Sequence, residues 1–155
     1  MEEKAIQDRL HEIASYCWGC GRNNENGLHL KSYWRGDETV ATIQPAEYLM
    51  AFPGILNGGI TALLIDCQSI NTANAASCEA EGRKYDENPL SGFVTGSLSV
   101  KYLKPIPIDE PVSLKARVKE MTERKITVSC SVYSGETECA VGEVILIRVG
   151  REFLE

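Results

Sequence analysis

The sequence predicts an α+β domain in which one long central helix is wrapped by a curved antiparallel sheet. Three observations carry this prediction. One stretch, from about Asn57 to about Cys78, is apolar or small on nearly every side and has few charges before Glu79, the pattern of an enclosed helix. Two short strand-like segments precede it and four longer ones follow, each alternating apolar and polar residues. A helix of this kind, with a single sheet in the chain to cover it, has to be wrapped by that sheet.

With 155 residues, 43% of them apolar and 25% charged, the chain supports one domain over 1–155, opened by a lead-in at 1–27. No apolar run approaches the ~20 residues of a membrane span. The start, Met1-Glu-Glu-Lys, lacks the basic and apolar regions of a secretion signal, so a cytoplasmic location and no membrane partner are expected. A net charge of −6 without a basic stripe argues against a nucleic-acid partner and leaves room for a local basic patch toward a phosphorylated ligand. The six cysteines are expected to be reduced, with Cys67 in the helix and Cys130 and Cys139 in strands as small core residues.

The elements follow in order. Residues 3–16 predict a short helix with Ile6, Leu10 and Ile13 on one face. Residues 17–27, Cys-Trp-Gly-Cys-Gly-Arg-Asn-Asn-Glu-Asn-Gly, are dense in turn formers. Leu28, Leu30, Tyr33 and Trp34 predict a strand ending near Gly36-Asp37, and Val40 and Ile43 mark its hairpin partner. A connection over 45–56 contains Pro45 and Pro53. In the helix, Ile60, Leu63, Leu64, Cys67 and Ile70 predict one broad buried face, and residues 79–92 predict a solvent loop. Strands are expected over 93–103, with Val94, Leu98, Val100 and Tyr102 sharing a face, and over 111–121, 125–133 and 138–149. In the last of these Val141, Val144 and either Leu146 or Ile145 point inward. Gly135-Glu136 turns the final hairpin.

The chemistry concentrates at residues 52–66. Asn57 suits a helix N-cap, and Gly58 and Gly59 leave their amides unobstructed to meet a ligand oxygen. Asn-Gly-Gly reads equally well as a plain turn. Asp66 is a lone carboxylate in an apolar helix, where desolvation raises its pKa and makes it a better base; the other reading is an interior aspartate hydrogen-bonded to a core group. Gly58 and Asp66 are eight residues apart, about 12 Å along the helix axis, so one carbonyl cannot touch both. If both serve one reaction they come from different copies, which a two-fold dimer supplies with two equal sites. The open sheet edges invite that second copy.

Taken with Cys17-Trp-Gly-Cys-Gly, Asn26-Gly-Leu-His-Leu and Tyr102-Leu103-Lys104-Pro105, residues 52–66 resemble the hotdog-fold thioesterases of the phenylacetyl-CoA thioesterase type, over about 16–149. The resemblance implies an acyl-CoA thioesterase for small or medium acyl groups. It implies Asp66 as general base or nucleophile and the Gly58 amide as the donor that polarises the thioester carbonyl. A Ser or Thr on the next strand commonly holds the attacking water; counting back from Tyr102, that residue is Thr95, with Ser97 as the neighbouring alternative. By strict alternation Thr95 points away from the site, and a bulge at Gly96 would re-aim it.

The family's His is Asn57 here, which can cap the helix or bind the thioester oxygen but cannot shuttle a proton. Ala51 stands where some members carry a polar residue. Acyl-CoA is the implied substrate, a homodimer or a dimer of dimers the implied assembly, and no cofactor is needed. Lys101 and Lys104 are the cations at hand for CoA phosphates.

A non-catalytic acyl-CoA binding protein of the same fold is the alternative. An acyl dehydratase would require a His near the helix start, where neither His11 nor His29 lies. Gln68, on a different face of the helix from Asp66, is assigned no role in the chemistry. Cys17 and Cys20 form a lone Cys-x-x-Cys; without a second pair to complete four ligands they are expected to shape a turn, and no metal site is expected. Trp18, Tyr33 and Trp34 are expected to be core or interface aromatics.

Overall fold

A computed structural model describes residues 1–85 and 91–154. Its elements are β1 (Ser32–Trp34), β2 (Glu38–Ile43), α1 (Gly58–Glu81), β3 (Ser91–Tyr102), β4 (Val112–Met121), β5 (Lys125–Ser134), β6 (Thr137–Gly150) and α2 (Arg151–Leu154). The six strands form one sheet in the order β1-β2-β4-β5-β6-β3, and every neighbouring pair is antiparallel. The helix α1 packs against all six strands. This is the hotdog architecture the sequence predicts.

The core lies between α1 and the inward faces of β4, β5 and β6, built from Leu64, Ile65, Val112, Leu114, Ile126, Val128, Val132, Val144 and Leu146, all essentially buried. The burial alternates along β4 and β5 as expected. In β6 the inward set is Ala140, Gly142, Val144 and Leu146, and Val141 faces the other way. Gly142 takes the inward position because Ile65 occupies the space: a Cβ there would lie 2.4 Å from Ile65 Cγ2. The β5–β6 hairpin turns at Gly135-Glu136, with Gly135 at φ 58°.

The start and stop of α1 follow from its caps. Asn57 Oδ1 accepts from the amides of Gly59 (2.7 Å) and Ile60 (3.4 Å), and Gly82 ends the helix in the left-handed conformation. The helix therefore outlasts the expected end at Cys78 by three residues, and β3 takes up Ser91 and Gly92 from what was expected as loop. Of the remaining 82–90, residues 82–85 follow the helix as turn and coil, and 86–90 lie outside the described residues.

The buried stripe of α1 is rotated relative to expectation. Thr61, Leu64, Ile65, Gln68, Thr72 and Ala75 are buried, while Ile60, Leu63 and Ile70 are only partly covered. Polar groups enter the core because they satisfy one another. Gln7 Nε2 donates to Ser32 Oγ (2.9 Å), Ser32 Oγ to Gln68 Oε1 (2.7 Å), Gln68 Nε2 to Thr39 Oγ1 (2.8 Å), and Thr39 and Thr72 share a 2.6 Å bond. Gln68 is thus a structural residue.

Two expectations fail near the N-terminus. Residues 3–16 form two 3₁₀ turns, Ile6–Asp8 and Glu12–Ala14, in place of one helix. The carbonyls of Gln7 and Leu10 accept from Arg22 Nη1 (2.9 and 2.8 Å), Ile6 is buried, and Ile13 is left exposed. Residues 28–31 precede β1 instead of belonging to it. The amides of Leu28 and Leu30 donate to the carbonyls of Trp18 and Gly19 (2.9 and 3.1 Å), and His29 between them has φ 56°. Trp18 is exposed and is no core residue.

Candidate active site

The site grows out of α1 and its neighbour β3. Asp66 sits in the middle of the helix, half-buried, and its Oδ1 accepts from Thr95 Oγ1 at 2.6 Å. Thr95 reaches it through a bulge. Thr95 pairs with Leu146 and Ser97 with Ile145, so Gly96 has no partner and the alternation of β3 shifts by one. Phe93 and Thr95 consequently share the inward face with Leu98, Val100 and Tyr102, and Val94, expected there, pairs with Ile147 on the outside. Glycine is needed at the bulge because a Cβ would lie 2.7 Å from Ile147 Cγ1 and 3.3 Å from Ile145 O. Ser97, just past the bulge, is exposed opposite Ile145 on the outer face.

Three influences act on the Asp66 carboxyl. Burial pushes its carboxyl above the ordinary range, the Thr95 hydroxyl opposes that by stabilising the anion, and the Cys17 sulfur adds a raising influence.

At the helix start the two glycines have different fates. The Gly59 amide, expected to meet a ligand oxygen, donates to Asn57 Oδ1 as part of the cap. The Gly58 amide has no acceptor among the described residues and is the donor that remains. Tyr102 closes over it: Tyr102 Oη donates to Gly58 O at 2.5 Å, and the ring would lie 3.5 Å from a Cβ at Gly58. Beside them runs a groove of about 400 Å³ lined by Ala51, Phe52, Ile55, Tyr102, Leu103 and Lys104. Asp66 and Gly58 thus sit on the same helix, about 12 Å apart along its axis.

Two residues outside the sequence-level site belong beside it. Tyr102 is visible in the sequence as a strand residue and as part of the Tyr-Leu-Lys-Pro segment; its bond to the helix start depends on how β3 crosses α1. Cys67 joins Cys17 and Cys20, the three sulfurs lying within 4.8 Å of one another. Sequence reading sees only the Cys-x-x-Cys, because nothing local says that this loop folds back on the helix.

Residues 53–141 match the family model described as Thioesterase superfamily. Acyl-coenzyme A thioesterase THEM4 of Xenopus laevis is 32% identical over 95 residues, which is 61% of this chain and 37% of that protein. The chain thus aligns with little more than a third of that relative. A thioesterase superfamily protein from Shewanella loihica PV-4 has a similar solved structure, with 33% identity, a TM-score of 0.63, and 77% of this chain and 90% of that one covered. The PaaI protein from the E. coli phenylacetic acid degradation operon superposes with a TM-score of 0.65 at 13% identity over 79% of this chain and 81% of its own, a likeness of fold.

Proposed function

Because the chain belongs to the thioesterase superfamily, we propose that it hydrolyses an acyl-CoA or related thioester with a small or medium acyl group. The single observation that carries this reading is the 2.6 Å bond from Thr95 Oγ1 to a desolvated Asp66 on the helix whose first amide, Gly58, is uncommitted.

The carbonyl oxygen of the thioester accepts from the Gly58 N–H at the positive end of the helix, where developing negative charge is stabilised. Thr95 holds Asp66 Oδ1, leaving Oδ2 to face the reacting centre. There Oδ2 either takes a proton from water as the hydroxide adds to the carbonyl carbon, or adds to that carbon itself to give an anhydride that water then opens. In both routes the C–S bond breaks, the CoA sulfur leaves as thiolate and takes up a proton, and the acyl group leaves as the acid. The apolar groove beside Gly58 takes part of the thioester chain, with Lys104 at its rim near the CoA phosphates.

One helix cannot bring its first amide and its ninth residue to one carbonyl, so a second copy supplies the partner group. The free edge of β3, twelve residues long and next to Asp66, is where that copy pairs.

Thiol release from a panel of acyl-CoAs tests the reading. Asp66→Ala is expected to lower kcat by about 10²–10⁴ on the best substrate while leaving the circular dichroism spectrum unchanged. An active wild type with an unaffected Asp66→Ala removes the site; CoA binding without thiol release leaves an acyl-CoA binding protein. In a single turnover in ¹⁸O-water, label in Asp66 identifies the anhydride route with water adding at the aspartyl carbonyl.

A further inference from the structure

Three thiols distant in sequence meet against α1. Cys17 Sγ stands 3.8 Å from Cys67 Sγ, and Cys20 Sγ lies within 4.8 Å of both. Two thiolates bound at ~2.3 Å to one tetrahedral ion stand about 3.8 Å apart, whereas a disulfide would bring them to about 2.05 Å. The Cys17–Cys67 separation is too long for a disulfide and matches the spacing of two ligands on one ion.

The loop carrying two of these thiols is specified residue by residue. Gly21 N–H closes a turn on Cys17 O at 2.7 Å, and a Cβ at Gly21 would lie 2.4 Å from both Cys17 N and Ser15 O. Gly19 lets the loop lie on the helix, since a Cβ there would come within 2.3 Å of Cys67 Sγ. The carbonyls of Trp18 and Gly19 are fixed by the amides of Leu28 and Leu30, respectively, on the returning segment of the loop. The Cys17 and Cys67 thiols are in hydrogen-bond contact with each other.

Asn71, one turn past Cys67 and 1% exposed, donates from Nδ2 to Cys67 O at 2.8 Å and reaches Cys20 Sγ at 3.6 Å; its buried Oδ1 has no partner among the described residues. Cysteines that merely fill space need neither a side-chain amide reaching sulfur nor a glycine opposite it. Outer donors of this kind are what orient metal-bound thiolates.

We propose that Cys17, Cys20 and Cys67 form a three-thiolate site for a soft or borderline cation, with zinc as the ion that fits, stapling the 17–30 loop to α1 one residue past Asp66. Thiolate ligands select such ions over magnesium or calcium. Cys17, the exposed member of the three, marks the side on which the cluster meets solvent, and the fourth ligand there is water. Binding releases the thiol protons to solvent, and the binding energy adds to folding energy. The inference is independent of the proposed hydrolysis: either can fail with the other intact.

The full chain, purified under reducing conditions without chelator, is expected to carry about one zinc per chain by elemental mass spectrometry. After removal of the ion, cadmium titration is expected to produce a thiolate-to-cadmium charge-transfer band that saturates at one equivalent. Cys67→Ala and Cys17→Ser are each expected to weaken cadmium binding at least tenfold. Cys17 is exposed, so Cys17→Ser keeps its fold, as circular dichroism will check, and it preserves the test if Cys67→Ala does not fold. A chain isolated without zinc whose reduced form shows no saturating cadmium band overturns the proposal. So does a band unchanged in a folded Cys17→Ser variant.

Discussion

Asp66 owes its character to two opposing influences, burial that favours the acid and the Thr95 hydroxyl that favours the anion. Replacing Thr95 by Val keeps the shape and removes the donor. A hydrogen bond to a charged group contributes about 1.5–3 kcal/mol, so Thr95→Val is expected to lower kcat by about 10- to 150-fold, with Thr95→Ser retaining most of the rate in the same thiol-release assay. Gly58 permits a sharper substitution. It is the first residue of α1, where proline is compatible with the helix, and Asn57 before it is already extended at ψ 132°. Gly58→Pro therefore deletes the amide donor without ending the helix, and a loss of about 10²–10³ in kcat is expected. Gly58→Ala keeps the N–H and is expected to remain active; equal activity of the proline and alanine variants would rule the amide out. Both positions are legible in the sequence, since a carboxylate among Leu and Ile and a Gly-Gly behind an Asn stand out from their surroundings. The division of labour between the glycines is not, because it depends on where the Asn57 side chain turns.

The element that decides the site is β3, through a one-residue irregularity. A strictly alternating β3 would carry Thr95 on the outer face with Ile147, and the bulge at Gly96 turns it inward. Gly96→Ala drives a Cβ against Ile147 Cγ1 and the Ile145 carbonyl. It is expected to destabilise the fold by about 1–3 kcal/mol and to lower kcat as well, read by denaturant unfolding beside the thiol-release assay. A variant as stable and active as wild type would mean that the bulge does not position Thr95. Strand existence and the final hairpin follow from periodicity and turn residues, which are local. Helix rotation is less legible: Ile60, Leu63 and Ile70 have the side chains of a buried face, yet Gln68 and Thr72 occupy it because Ser32 and Thr39 complete their hydrogen bonds. Hydropathy counts a buried amide as a cost and cannot see the partner that offsets it.

At the scale of the whole molecule, one chain leaves surface that asks for another. Tyr48 and Phe52 are 80% and 77% exposed, Tyr102 and Leu103 about half, and the outer edge of β3 is unpaired among the described residues. Sedimentation is expected to show a dimer or a dimer of dimers. Complementation gives the stronger test. Gly58→Pro and Asp66→Ala chains, each inactive alone, are mixed, partly unfolded and reassociated. If each site takes its amide from one copy and its carboxylate from the other, half the dimers are mixed and each has one intact site, so about a quarter of wild-type activity returns. Sites contained within single chains would restore none.

What the sequence determined by itself is what short-range chemistry controls: the strand and helix periods, the Asn57 cap, the isolation of Asp66 in an apolar helix, and hence the fold class and the two groups proposed to meet the substrate. Tertiary structure decided which groups meet. The Thr95 hydroxyl reaches Asp66 only because β3 slips by one residue beside β6. Tyr102 reaches the helix start only because β3 crosses it there, and Cys67 reaches Cys17 only because two glycines let a loop lie on the helix. A pattern along a chain fixes neither the register between strands nor the rotation of a helix over a sheet, and both are set by packing and hydrogen-bond partners supplied from elsewhere in the fold.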